Sequence, residues 1–371
     1  MGVNGAPRRL AREGDPTRTS LELSDVLRIP ESRHSTLSDI VAALREARTV
    51  VLATHVNADA DGAGSQAAVA AWLESLGVRV SIVNPSPFPE PLRFLLHREG
   101  LDLDYQTAKG KAAIDEADLC LVLDTSESNR ITPLDTLFKP DRTIVVDHHP
   151  AGPSVVGRGG VQDPSAAATG ELVYDMISLS GDPWPLASAV GAYIAIVSDT
   201  GSFRFSNTTA RCHVVAAEML QRGVDPEEVF QRLFAVAPPR RIHLLREALA
   251  RLHHDPETGL SWIVLPRKII DDLHATAEDY EGLIDHARSI EGTRLAILFR
   301  EVDADTTKMS FRSSGPTDVN RIARQFGGGG HVKASGASID TPIDEAVPEV
   351  LAVVRRALEE DADDWARTSL R

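Results

Sequence analysis

From position 37 onward the chain alternates between two rhythms. Short apolar runs at 49–54, 78–83, 119–123 and 143–146 have the length and β-branched content of buried strands. Stretches with three- and four-residue apolar spacing separate them, clearest at 63–76. Strands alternating with helices predict an α/β fold, a mostly parallel sheet covered on both faces. After Asp163 the spacing turns helical, at 169–179, 186–197, 208–221 and 227–234. Pro238 and Pro239 then precede an amphipathic stretch, 240–252, that reads as a helical linker. Beyond it come strands at 260–265, 295–299, 307–312 and near 334–339. Helices at 280–290, 319–326 and 347–359 and a glycine run at 327–330 complete the pattern. A second, smaller α+β domain accounts for this part. The expected division is a flexible tail over 1–35, a first domain over 36–237, a linker over 238–257, a second domain over 258–360 and a C-terminal tail over 361–371.

Composition narrows the function. The length of 371 residues suits two domains. No apolar run reaches the ~20 residues that span a bilayer; the longest, 186–197, contains Ser188 and Gly191. The N-terminus lacks the basic-then-apolar pattern of a secretory signal, so the expectation is a soluble, cytoplasmic protein with no membrane partner. Two cysteines, Cys120 and Cys212, cannot build a disulfide framework or a tetrathiolate zinc site. Cys120 lies inside an apolar run and reads as a small core residue. A net charge of −15 argues against salt-driven binding to duplex DNA. It leaves open a small phosphate-bearing substrate held at a metal centre, where bound cations are the largest local charges.

The candidate chemistry gathers where apolar segments end. The first strand runs into His55-Val56-Asn57-Ala58-Asp59-Ala60-Asp61-Gly62, the third into Asp124, the fourth into Asp147-His148-His149-Pro150, and helix 186–197 into Ser198-Asp199-Thr200-Gly201. In an open α/β sheet ligands bind outside the carboxyl ends of the strands, so the first three clusters should share one crevice. Alone, Asp124 reads equally as a turn or helix-cap residue, and Asp199 as a turn residue. Together, five aspartates with three imidazoles cannot all stay ionised without cations to compensate. Mixed His/Asp ligands without thiolates suit Mn²⁺, Mg²⁺, Fe²⁺ or Zn²⁺. Two such ions about 3.5–4 Å apart form the usual clamp for in-line displacement at phosphorus. In the second domain the four glycines read either as a hinge or, followed by His331, as an anion cradle of backbone N–H groups. Arg312 at a strand end supplies a phosphate fork. Arg240-Arg241 reads as a solvated helix start rather than a nucleic-acid patch.

These motifs resemble a known family. Asp147-His148-His149, with His55…Asp59-Ala60-Asp61-Gly62 before it and Asp124 and Asp199 on either side, is similar to the DHH phosphoesterase superfamily. Ser310-Phe311-Arg312-Ser313-Ser314 and Gly327-Gly328-Gly329-Gly330-His331…Ala334-Ser335-Gly336 resemble its DHHA1 substrate-binding domain. Spanning roughly 36–360, the combination most resembles the oligoribonuclease/pAp-phosphatase (nanoRNase) group, which includes cyclic di-AMP and pApA phosphodiesterases. The resemblance implies two divalent ions, Mn²⁺ foremost. His55, Asp59 and Asp124 would hold one; Asp61, Asp124, His148 and Asp199 would hold the other, with Asp124 bridging. Asp147 would orient an imidazole, and His149 would face the scissile phosphate. Arg312, Ser313, Ser314, Gly330 and His331 would grip the substrate's far end from across a cleft between the domains. Where many relatives have Pro before the first motif aspartate this chain has Ala58, which loosens the loop without removing a ligand.

The implied reaction is hydrolysis without a covalent intermediate, a water acidified by both cations attacking phosphorus. Implied substrates are short RNA and dinucleotides such as pApA, pAp and cyclic di-AMP; the resemblance also implies a homodimer. Rival readings are an inorganic pyrophosphatase, which would need a Lys/Arg-rich clamp in place of the glycine run, and a processive single-strand exonuclease. The second would need a basic channel lined with aromatics, which make up only 5% of this chain. A nucleotide-sensing protein on the same scaffold is the remaining alternative, and the intact ligand set argues against it.

Overall fold

The computed structural model describes residues 23–361, apart from 151, 153, 281 and 315 and the side chains of 278 and 331. Of the tails expected over 1–35 and 361–371, residues 1–22 and 362–371 lie outside the described residues. The chain divides into two compact units between Val236 and Ala237.

In the N-terminal unit, β1 (Thr49–Ala53), β2 (Arg79–Ile82), β3 (Leu119–Leu123), β4 (Thr143–Asp147) and β5 (Gly160–Gln162) form one sheet in the order β2-β1-β3-β4-β5. Every pair is parallel, with Val51 opposite Cys120 and Val122 opposite Val145. Side chains alternate between two cores, as a period of two requires. Val50 and Leu52 face one; Val51 and Ala53 face the other, beside Ile114, Ile131 and Phe138. Both faces are therefore covered, which is why these strands read as continuous apolar runs. Cys120 and Cys212 are buried and free. The strand order reverses between β1 and β3, so the crevice at their carboxyl ends is the topological switch point of the sheet.

Helix Ala60–Ser75 leaves that crevice with Asp59 as its N-cap, the carboxylate accepting from the N–H groups of Asp61 and Gly62. Its residues from Asp61 to Leu73 are all buried, because small residues let neighbouring helices approach from several sides. At its crossing with helix Leu186–Asp199, a Cβ on Gly64 would lie 2.6 Å from the Gly191 carbonyl oxygen. One on Gly191 would lie 2.4 Å from the Gly64 oxygen. Ser188 Oγ donates to the Ala68 carbonyl at the same crossing (2.8 Å). Helix Thr169–Ser180 packs in just as closely through Gly170 against Ala195.

The expected tail over 1–35 needs correcting. Residues Leu23–Leu27 are helical, and helix Glu31–Glu46 buries Arg33, Leu37, Ile40, Val41 and Leu44. Arg33 is only 2% exposed. It donates to Asp163, Glu171 and Asp175, each at 2.9 Å, and Arg211 pairs with Glu171 and Asp175 from the other side. Residues 23–35 look polar in sequence because a buried ion network at Arg33 joins the apolar face of the helix in anchoring them.

The C-terminal unit is a mixed sheet of β6 (Leu252–Asp255), β7 (Leu260–Leu265), β8 (Leu295–Asp303), β9 (Thr306–Ser313), β10 (Gly329–His331) and β11 (Ala334–Ile339), ordered β10-β11-β9-β8-β7-β6. Only β7 and β8 pair in parallel. Val319 and Ile322 of helix Val319–Arg324 and Val350 and Val354 of helix Ile343–Glu360 cover Ile297, Phe299 and Phe311 on one face. The segment read as a linker belongs to this unit: helix Pro239–Ala250 buries Leu244 and Ala248 beside Ile263 and Leu265 on the other face, and β6 follows it. The glycine run is not a hinge. Gly327 (φ +71) and Gly328 end helix Val319–Arg324, the Gly328 N–H donating to the Ala323 carbonyl (2.9 Å). The run then becomes edge strand β10, and just before it a Cβ on Gly328 would meet the Gly336 carbonyl at 2.1 Å.

The Gly64–Gly191 crossing gives a direct stability test. Gly64→Val should lower the unfolding free energy by at least about 1–3 kcal/mol, the usual penalty for overpacking. Chemical denaturation checks it, and an unchanged midpoint would show that the helices do not meet there.

Candidate metal centre

The crevice is built from the strand ends inward. After β1, the Thr54 N–H donates to Asn84 Oδ1 (3.0 Å), and Asn84 exchanges two further hydrogen bonds with Gln66. This fastens the ends of β1 and β2 to helix Ala60–Ser75. The next residue, His55, is buried; its Nδ1 lies 3.0 Å from the Val56 carbonyl. A carbonyl only accepts, so Nδ1 carries a proton and Nε2 is the nitrogen left to face the carboxylates or a cation. Asp59 spends Oδ1 on its cap and turns Oδ2 to within 3.7 Å of His55 Nε2. Asp61, fully buried, accepts from Thr169 N (2.7 Å) and Gly170 N (2.9 Å), the exposed amides at the start of helix Thr169–Ser180.

Asp124 leaves β3 in the left-handed region (φ +64), where non-glycine residues are uncommon and often functional. Its N–H donates to Val146 O (3.0 Å) and its Oδ1 accepts from Thr169 Oγ1 (3.0 Å). Its Oδ2 lies 3.3 Å from His55 Nε2. Gly62 makes room: a Cβ there would lie 2.5 Å from Thr54 Oγ1 and 3.3 Å from Asp124 Oδ2.

His148 and Asp199 complete the convergence. His148 Nε2 is 3.6 Å from Asp61 Oδ2, from Asp124 Oδ1 and from Asp199 Oδ2. These separations are too long for hydrogen bonds. They match the spacing of neighbouring ligands around a cation bound at about 2.0–2.2 Å, which is roughly 3.0–3.6 Å. Candidate ligand atoms of His55, Asp59 and Asp124 lie within 4.8 Å of one another, as do those of Asp61, His148 and Asp199, and those of Asp124, His148 and His149. Thr54 Oγ1, His55 Nε2 and Asp124 Oδ2 are buried without any hydrogen-bond partner. Buried polar atoms left unpaired in a ring of carboxylates are what a cation site requires.

The electrostatics say the same. Burial, then the charges of Asp124, Asp199 and Asp59, pushes Asp61 well above the usual carboxylate range. Burial, with Asp124 and Asp59, raises Asp199 to about 6 despite His148. Burial disfavours a charged His55, yet Asp124 and Asp59 outweigh it and hold its imidazole up at about 10. Desolvation likewise opposes ionisation of Asp59, but the neighbouring His55 imidazole and the helix amides bring it down to about 2. The clustered carboxylates repel one another, and a divalent cation held among them would relieve that repulsion directly.

Asp147 and His149 form a separate pair at the edge of the site. Asp147 Oδ1 accepts from His149 N (3.0 Å) and lies 2.8 Å from His149 Nδ1. That bond raises the His149 pKa first of all; burial and Arg130 oppose it, while the Asp124 charge assists. In the C-terminal unit, Arg312 is half-buried on β9, its guanidinium donating to Phe311 O (3.0 Å), and burial lowers its pKa. The buried Ser313 hydroxyl donates to Thr317 O (2.7 Å), so it ties the strand end to a loop rather than presenting its hydrogen outward. Ser314 is half-buried, its N–H donating to Arg294 O (2.8 Å). Gly330 (φ +145) sits in β10 with its ideal Cβ position 2.6 Å from Ala334 O. His331 ends β10, and its side chain lies outside the described residues.

Sequence reasoning missed the supporting residues. Thr169 reaches both Asp61 and Asp124 from a separation of 108 and 45 positions. Asn84, Gln66 and Arg130 carry no motif, and Asn207, whose amide donates to the Asp199 and Ala167 carbonyls (3.0 and 2.9 Å), sits in a plain polar loop. Only Asn84, polar at the mouth of an apolar strand, offered a usable signal.

Comparison with known proteins agrees with this geometry. Residues 49–196 match the N-terminal domain of the DHH family, and residues 264–360 match the DHHA1 domain. The chain is 32% identical to the bifunctional oligoribonuclease and PAP phosphatase NrnA of Thermus thermophilus over 89% of this chain and 97% of that one. The NrnA of Bacillus subtilis is 30% identical over 78% of this chain and 89% of its own length. The crystal structure of an exopolyphosphatase-related protein from Bacteroides fragilis superposes with a TM-score of 0.82 at 25% identity, covering 90% of this chain and 98% of that one. Two domain matches in the expected order and an end-to-end relative show that this chain belongs to the DHH family, in its two-domain DHH–DHHA1 form.

Proposed function

We propose that this chain is a metal-dependent phosphodiesterase and phosphatase that hydrolyses short nucleotides in the cytoplasm: pApA and other very short RNA to mononucleotides, pAp to AMP, and cyclic di-AMP within the same pocket. The observation that carries the reading is His148 Nε2 at 3.6 Å from three separate carboxylates at the switch point of a parallel sheet. The similarity to oligoribonuclease and PAP phosphatases supports the substrate class. The donor set fits two divalent ions, Mn²⁺ by preference: His55, Asp59 and Asp124 for one, Asp61, Asp124, His148 and Asp199 for the other. Bound there, two cations supply Lewis acidity to the phosphoryl oxygens and acidify water for attack.

The protein's own groups do the rest. The start of helix Thr169–Ser180 fixes both oxygens of Asp61, and Thr169 Oγ1 fixes Asp124, so the carboxylates are aimed before any ligand arrives. Asp147 holds His149 by Nδ1, which favours a protonated ring whose Nε2–H is free to donate. His149 then stabilises the charge building on the phosphoryl oxygens and passes its proton to the leaving oxygen. Arg312, Ser314, Gly330 and His331 are assigned to the substrate's other end, with Ser313 keeping their strand in place.

The reading is tested by chromatography of products from purified protein with Mn²⁺, offered pAp, pApA, a five-nucleotide RNA, cyclic di-AMP and pyrophosphate in parallel. AMP should appear from pAp and pApA with pyrophosphate untouched; turnover of pyrophosphate alone would overturn the assignment. Asp124→Ala should cut kcat by at least about 10³-fold, since it removes the carboxylate placed to serve both ions. Near-normal turnover by that variant would rule out the two-metal scheme.

A further inference from the structure

The chain leaves Asp199 through a loop bent as few sequences accept. Gly201, Ser202 and Phe203 take φ of +56, +58 and +63 in succession, two of them residues with side chains. The surroundings over-determine this conformation. Ser202 N donates to Val197 O (2.7 Å), Phe203 N to Thr200 Oγ1 (3.1 Å), and Arg204 N and Phe205 N both to Thr200 O (2.9 and 3.0 Å). The Phe203 ring stacks on His213 with centroids 4.7 Å apart, and Asn207 ties the returning chain to the Asp199 carbonyl. A loop this firmly held serves the side chains it displays.

It displays Arg204 and Phe205. Both fold back over Gly201, two residues beyond Asp199. Arg204 Nε donates to Gly201 O (2.6 Å), which leaves its two terminal nitrogens without a carboxylate partner among the described ion pairs. The Phe205 ring covers the face of Gly201 so closely that a Cβ there would lie 2.5 Å from it, while the ring itself is 55% exposed. Packing on Gly201 uses one part of the Phe205 ring and leaves over half of its surface to water, and the terminal nitrogens of Arg204 have no carboxylate partner among the described residues. Together they present a π face and a phosphate fork, the two surfaces of a nucleotide.

We propose that Arg204 and Phe205 read the nucleotide at the metal centre: Phe205 stacks on the base nearest the scissile phosphate, and the terminal nitrogens of Arg204 hold a phosphate oxygen. The inference deepens the proposed phosphodiesterase function and rests on it. The test compares kcat/KM with Mn²⁺ for pApA and for an analogue whose second ribose lacks its base. Phe205→Ala should cost pApA about tenfold, at least fivefold more than it costs the analogue, and Phe205→Tyr should restore the difference. Arg204→Ala should lower both substrates by a similar factor, with Arg204→Lys recovering part of it. Should Phe205→Ala fail to fold, Phe205→Leu keeps bulk over Gly201 without a ring and carries the same comparison. Equal losses on both substrates, or none, would overturn the stacking role. A wild-type protein inactive on both would instead overturn the phosphodiesterase reading, and this inference with it.

Discussion

Everything in the N-terminal unit depends on holding several carboxylates closer together than water would allow. Asp61, Asp124 and Asp199 surround one imidazole nitrogen at equal distances of 3.6 Å, and two of the three are almost wholly buried. Burial first, and then the neighbouring like charges, lift Asp61 and Asp199 above the ordinary carboxylate range. Such a cluster has the chemistry of a cation site. The same repulsion would be relieved by divalent cations held between these carboxylates.

The fold supplies the force that keeps the groups together. A parallel sheet buried on both faces fixes the ends of β1, β3 and β4, and therefore His55, Asp124 and His148. The glycine-to-glycine crossing of helices 60–75 and 186–199 sets the distance between Asp61 and Asp199, since each carboxylate lies at an end of one of those helices. The amides of helix 169–180 supply partial positive charge to Asp61 where it is most needed. The Arg33–Arg211 network in turn grips Glu171 and Asp175 of that same helix. Stability and chemistry are thus coupled through one helix start.

Much of this was legible from the sequence. The β1, β3 and β4 strands announce themselves as apolar runs because both faces are covered; His55, Asp59, Asp61, Asp124 and His148 stand where such runs stop, and Asp199 where an apolar helix ends. What escaped was fixed by contacts between distant positions. Arg33 looked like part of a polar tail because its partners lie 130 to 142 residues away. The glycine run read as a possible hinge because nothing local reveals that Gly336 and Ala334 carbonyls crowd it into a strand. Helix 239–250 read as a linker because its buried face is short, only Leu244 and Ala248. The left-handed backbone at Ser202 and Phe203 is invisible in principle, since neither residue type favours it.

The central claim is that the converging carboxylates and imidazoles bind two divalent ions in each chain. Equilibrium dialysis of the metal-stripped protein against Mn²⁺, followed by elemental analysis of the retained metal, measures this without reference to catalysis. The account predicts two ions per chain at saturation; a plateau at one, or no retained metal, would contradict it.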